Sequence, residues 1–212
     1  TAVVWARGYL LDAHHIKTTA MQWFVSGREV FIGHALPVKV QRIEPPPPFG
    51  GEKLVLSKML SEGELHGAVV PGDNGYTGFF GGGETPKMMS EYPGVKPLFE
   101  DNQEIIDYVK KTGINPIMHV LSIRREVAER HPDLPAKLTR AFMEARDVAG
   151  GYMPAEEIAG YAKEREALGE DPYAYVMGES EKRTLAAMNR YQIEQGLMKT
   201  MLPMDQLFIG HV

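Results

Sequence analysis

The sequence contains no cysteine. Disulfides, thiolate metal sites and cysteine nucleophiles are excluded together, so metal or covalent chemistry would have to use histidine, carboxylates, serine or lysine. Long apolar runs are missing as well. The uncharged stretch from Thr18 to Gly27 holds ten residues, well short of the roughly 18 that a membrane span needs, so no membrane span is expected. Basic charge is scarce. With 23 Lys+Arg against 28 Asp+Glu the formal charge is −5, and dense basic spots are few and short, such as Lys110-Lys111 and Arg124-Arg125. No nucleic-acid partner is expected from that balance, since a protein tracking a phosphate backbone carries a basic stripe.

Two binding motifs are also absent. No His-x-x-x-His or His-Glu-x-x-His pair occurs, and the adjacent His14 and His15 would point about 100° apart on a helix. They read as surface residues, and no metal is expected. Gly81-Gly82-Gly83-Glu84-Thr85 lacks the Gly-Lys-Ser/Thr ending of a phosphate loop, so the Gly78 to Thr85 stretch reads as a flexible lid or hinge. What remains is an ordinary globular composition, 43% hydrophobic and 24% charged, with 22 Gly and 15 Pro among the 212 residues. One large or two small domains fit this length. The opening Thr1-Ala2-Val3-Val4-Trp5-Ala6-Arg7-Gly8 has neither an initiator Met nor a signal-peptide layout, and reads as the interior of a longer protein.

Along the chain, Thr1 is placed to cap a helix with Val3, Val4, Leu10 and Leu11 on one broad face. Thr19 to Val25 and Pro37 to Ile43 read as extended, and Pro45-Pro46-Pro47-Pro48 as a stiff connector. A helix over Leu54 to Glu62, stopped by Gly63, should lead into a strand from Leu65 to Val70. A Gly-rich loop follows, at the strand end where ligands of α/β sheets gather. Asp101 and Glu104 form a capping-box-like start for a helix closed at Gly113. Ile114 to Ile123 is nearly continuously apolar and predicts a strand buried on both faces. Helices are expected from Arg124 onward, over Ala155 to Leu168 and over Glu181 to Gln195, the last ended by Gly196-Leu197 as a Schellman stop.

Two residues stand out as site candidates. Arg7 lies two turns into a helix starting at Thr1; exposed N–H groups at a helix start attract carboxylate, and a guanidinium nearby can bind the same anion bidentately. Thr1, Ala2 and Arg7 are therefore candidates for holding a carboxylate. His119 is the one ionisable side chain between Lys111 and Arg124. An imidazole changes charge near neutral pH, as general acid catalysis prefers, so His119 is the candidate proton-handling group; its competitor is a core histidine satisfied by backbone.

The opening Thr1 to Gly8, then Thr112-Gly113-Ile114-Asn115-Pro116-Ile117-Met118-His119 running into Ile123-Arg124-Arg125-Glu126-Val127, then Glu194-Gln195-Gly196-Leu197, resemble in this order the 4,5-dihydroxyphthalate decarboxylase family. The stretch from Tyr108 to Ala145 carries the most specific part of the likeness. The resemblance implies an α/β fold of the type II periplasmic-binding-protein kind, two lobes with a ligand cleft between them. Residues 1–112 would form the second lobe, and 113–212 the crossover strand and helices of a first lobe that is incomplete in this chain. Where the family tends to place a basic, Pro-rich loop, this chain has Asp73 and Asn74, which become substrate-binding candidates and leave room for a different substrate.

The activity implied by the resemblance is cofactor-independent decarboxylation of a hydroxylated aromatic carboxylate, 4,5-dihydroxyphthalate to protocatechuate. The expected partner is a small aromatic carboxylate, with no cofactor; a homo-oligomer is left open. The alternative is a solute-binding protein handing a carboxylate to a membrane transporter, and a ligand-sensing module of the same fold is a third reading, since fold alone does not fix function. An enzyme would be cytoplasmic, and a transporter's binding protein periplasmic or extracellular.

Overall fold

In the computed structural model, residues 1–25, 37–43, 52–69, 91–99, 103–169, 171 and 173–208 are described. The elements in chain order are α1 (Ala2–His14), a 3-10 turn (Thr18–Ala20), β1 (Trp23–Val25), β2 (Val40–Arg42), α2 (Glu52–Ser61), α3 (Gln103–Thr112), α4 (Arg125–Arg130), α5 (Leu134–Ala149), α6 (Ala155–Leu168), α7 (Glu179–Glu194) and α8 (Met204–Leu207). They fall into two compact units: Thr1–Glu104 with Met188–Met201, and Ile105–Ala187 with Leu202–Val212.

The first unit is organised around α1 and the C-terminal half of α7. The residues of α1 that become buried are Trp5, Arg7, Gly8 and Tyr9, whereas Val3 of the expected apolar face is 37% exposed. The physical reason is Tyr191, 1% exposed, whose ring occupies the notch above Gly8, so closely that a Cβ there would overlap it. Trp5 meets the same ring edge-on at 5.8 Å. Asp12 closes the contact: it accepts from Tyr191 Oη at 2.5 Å and from Arg190 Nη1 and Nη2 at 3.0 and 2.6 Å. Those contacts keep Arg190 charged and push its pKa up.

Among the described residues β1 and β2 form a two-stranded parallel sheet, with Trp23 opposite Val40 and Val25 opposite Arg42. The extended reading of Pro37 to Ile43 thus contracts to three residues, and Thr18–Ala20 is a turn instead of strand. The α2 helix ends as expected at Gly63, φ +78°, a left-handed position that glycine adopts without a Cβ penalty. No strand follows; residues 65–69 are irregular. Pro45 to Pro48, the Gly78 to Thr85 stretch and Asp101 lie outside the described residues.

In the second unit, Ile105, Tyr108 and Val109 of α3 are buried, and Gly113 ends that helix at φ +67°. Thr184, 1% exposed, accepts the Asn115 N–H at 3.1 Å. The expected buried strand over Ile114 to Ile123 is not formed: the segment is irregular, Ile114 is buried, and Val120 and Leu121 are 57% and 60% exposed. A strand needs a neighbouring strand as ladder partner for its N–H and C=O groups, and among the described residues no strand runs beside this segment. The later helices match their sequence ranges closely, α6 residue for residue. Arg146 of α5 binds Asp171 and the Tyr173 carbonyl, at 3.4 and 3.0 Å, which ties these two residues to α5.

Glu164 of α6 accepts from Tyr173 Oη at 3.0 Å, and burial pushes its carboxyl pKa up despite that bond. A carboxyl raised on folding contributes its stability at low pH, where both states are protonated, and loses it as pH rises through the folded pKa. Glu164→Gln keeps an acceptor without the charge. It is therefore expected to leave stability unchanged at pH 4 or below and to equal or exceed the parent at pH 7, read from thermal melts by far-UV circular dichroism. A mutant less stable than the parent at pH 7 alone would contradict the burial argument.

Candidate functional site

The features that bear on function in the first unit begin with a platform. Trp23 stands on β1, and its indole Nε1 donates to the Thr18 carbonyl at 3.1 Å, which fixes the ring. Arg7 reaches that ring from α1, with its guanidinium carbon 3.8 Å from the ring centroid. At that distance the cation sits over the face, where the negative quadrupole attracts it, and the N–H donors along the guanidinium edge are not used by the stack.

Arg7 is 9% exposed. Its Nε has no hydrogen-bond partner, and among the described residues no carboxylate pairs with it. Desolvation lowers its pKa, because burial disfavours the charged form. A buried charge is ordinarily paired, and an orphaned buried donor calls for an explanation such as a ligand or water. The stacked guanidinium is thus suited to receive an anion in its own plane, bidentately.

The other sequence candidates fall elsewhere. Thr1 is exposed and caps α1 without a side-chain hydrogen bond. Ala2 is half-buried. At 100° per residue Thr1 and Ala2 lie about 120° and 140° around the helix from Arg7, and Arg7 is stacked on Trp23. His119 is exposed in the irregular 113–124 segment of the second unit, so it is not the buried core histidine of the competing reading. Asp73 and Asn74 lie outside the described residues.

His14, read as a surface residue, is in a defined setting. Its Nε2 lies 2.9 Å from Glu104 Oε1, which also accepts from Tyr9 Oη at 3.0 Å, and its ring stacks on Phe99 at 6.1 Å. Position in the last turn of α1 suits a cation, so this cluster serves to finish the helix. Among the described residues no group of three or more His, Asp or Glu could hold a metal ion, and no helix is long and apolar enough to cross a membrane. Sequence reasoning missed Trp23 as the partner of Arg7, as well as the Asp12, Arg190 and Tyr191 cluster. No spacing rule joins residues so far apart in the chain.

A buried guanidinium stacked on an indole, with an unpartnered Nε, could receive an anion. Comparison with known proteins adds a particular relative. Over 157 residues the chain is 31% identical to the 4,5-dihydroxyphthalate decarboxylase of Comamonas testosteroni, a match spanning 70% of this chain and 42% of that protein. The chain thus spans less than half the length of the curated relative it matches. No family model matches it.

Proposed function

We propose that the protein is a cofactor-independent decarboxylase of a hydroxylated aromatic carboxylate, with 4,5-dihydroxyphthalate as substrate and protocatechuate as product. The observation that carries this reading is Arg7, a buried cation on an aromatic platform with no carboxylate of its own among the described residues. The relative's name supports an aromatic dicarboxylate as the anion. A two-lobed fold of the type II periplasmic-binding-protein kind belongs to the same proposal.

The reaction forms a C–H bond at the ring carbon bearing the departing carboxylate and breaks that carbon's bond to the carboxylate. The electron pair of the broken bond returns to the ring, one proton is consumed and carbon dioxide leaves. While the ring carbon is tetrahedral, the hydroxyl para to it stabilises the positive charge. Arg7 holds the carboxylate that stays.

Full-length protein mixed with 4,5-dihydroxyphthalate, with no cofactor added, is expected to release carbon dioxide and accumulate protocatechuate over many turnovers. Tight binding of the intact acid without product would replace the enzyme by a solute-binding protein.

A further inference from the structure

Gln195 is the other buried side chain with an orphaned polar atom. It is 3% exposed, and its Oε1 has no hydrogen-bond partner. Its amide orientation is fixed by chemistry, because Nε2 donates at 2.9 Å to the Val4 carbonyl, which can only accept. Oε1 is therefore an acceptor directed away from that bond.

The backbone that carries Gln195 is held in place. It is the residue at which α7 stops, where Gly196 N–H bonds to the Ile193 carbonyl at 3.0 Å and Leu197 N–H to the Gln192 carbonyl at 2.8 Å, the paired bonds of a Schellman motif. Gly196 has φ +72°, and a Cβ there would overlap Pro37. The motif Glu194-Gln195-Gly196-Leu197 thus does more than end a helix: it delivers one amide to the first turns of α1.

Arg7 and Val4 are one turn apart on α1, and a helical side chain leans over the turn preceding its own Cα. Arg7, stacked on Trp23, therefore starts from the helical turn next to the one whose carbonyl holds Gln195. One orphaned donor and one orphaned acceptor, both buried, belong to the same stretch of α1. A carboxylate alone would satisfy the donor and leave the acceptor empty. A hydroxylated carboxylate satisfies both.

We propose that Gln195 is a specificity-determining residue whose Oε1 accepts a hydrogen bond from a hydroxyl of the aromatic ligand whose carboxylate Arg7 binds. The proposal rests on the reading of Arg7 as the carboxylate holder and adds the feature of the ligand that distinguishes a hydroxybenzoate from a plain benzoate.

The test uses two inert probes that differ only in hydroxyls, protocatechuate and benzoate, with affinities for the full-length protein measured by calorimetry. The parent is expected to bind protocatechuate about tenfold more tightly, the value of one buried acceptor left empty by the poorer ligand. Gln195→Met, of similar length and without an acceptor of comparable strength, should bring the two affinities within about twofold of each other. Arg7→Met should weaken both probes and keep their ratio. Equal affinities in the parent, or a preference that survives in Gln195→Met, overturn the role of Gln195 while Arg7 stands. Failure of the parent to bind either probe overturns this proposal together with the reading of Arg7. The parent's ratio is decisive even if Gln195→Met does not fold, and it is independent of whether turnover is observed.

Discussion

Arg7→Met is expected to weaken phthalate binding by about 10²-fold or more, since two charge-assisted hydrogen bonds are worth about 1.5–3 kcal/mol each. Binding of catechol, which has hydroxyls and no carboxylate, should change little. The stability of the first unit is expected to remain close to that of the parent. Losing the cation–π contact costs about 0.5–2 kcal/mol, but the substitution also removes a buried charge and an orphaned donor, whose burial costs about 1–3 kcal/mol. Large loss of binding with little loss of stability is the signature of a residue kept for a ligand. Titration calorimetry against both ligands, with a denaturant titration beside it, reads the two quantities. Equal weakening of phthalate and catechol would remove Arg7 from the anion site, and a collapse in stability would make it structural.

Gly8→Ala should destabilise the first unit by about 1–2 kcal/mol net, and Gly8→Leu should unfold it. In an exposed helix, replacing Gly by Ala gains about 1 kcal/mol. Here the added Cβ meets the Tyr191 ring directly, and overpacking of a core costs about 1–3 kcal/mol and occasionally more. The ring has little room to retreat, because Trp5 lies against it and its hydroxyl is bound to Asp12. Both tryptophans of the sequence, Trp5 and Trp23, are in this unit, so intrinsic fluorescence during denaturation reports on it without interference. A Gly8→Ala variant as stable as the parent would show that Tyr191 does not fill the notch.

Local signals in the sequence carried well where structure is local. The range of α6 and the stops at Gly63, Gly113 and Gly196 follow from periodicity and from glycine in the left-handed region, which involve a few neighbouring residues. The packed face of α1 did not follow, because Val3, Val4, Leu10 and Leu11 form the more apolar stripe while the face that packs is chosen by Tyr191, far along the chain. Ile114 to Ile123 failed for a related reason: an apolar run specifies burial or extension, but only a partner strand makes it a ladder. For the site, Arg7 was identifiable as a charge near an expected helix start. Its pairing with Trp23 was not, since neither residue signals the other. Gln195 was visible only as part of a helix stop, and its buried acceptor comes from how α7 ends against α1.

The first unit is closed by a piece of chain that arrives late. Asp12 is joined to Arg190 across 178 positions and Val4 to Gln195 across 191, so during synthesis α1 emerges long before the tyrosine and amide that cover it. Until Met188–Met201 has left the ribosome, Trp5 and Gly8 lack their packing partner Tyr191, and the Val4 carbonyl lacks the amide of Gln195. Contacts of such separation make folding slow and leave apolar surface open meanwhile. The surroundings of α1 are therefore completed by the fourteen residues Met188–Met201, and any shortened chain ending before α7 would present an unfinished first unit.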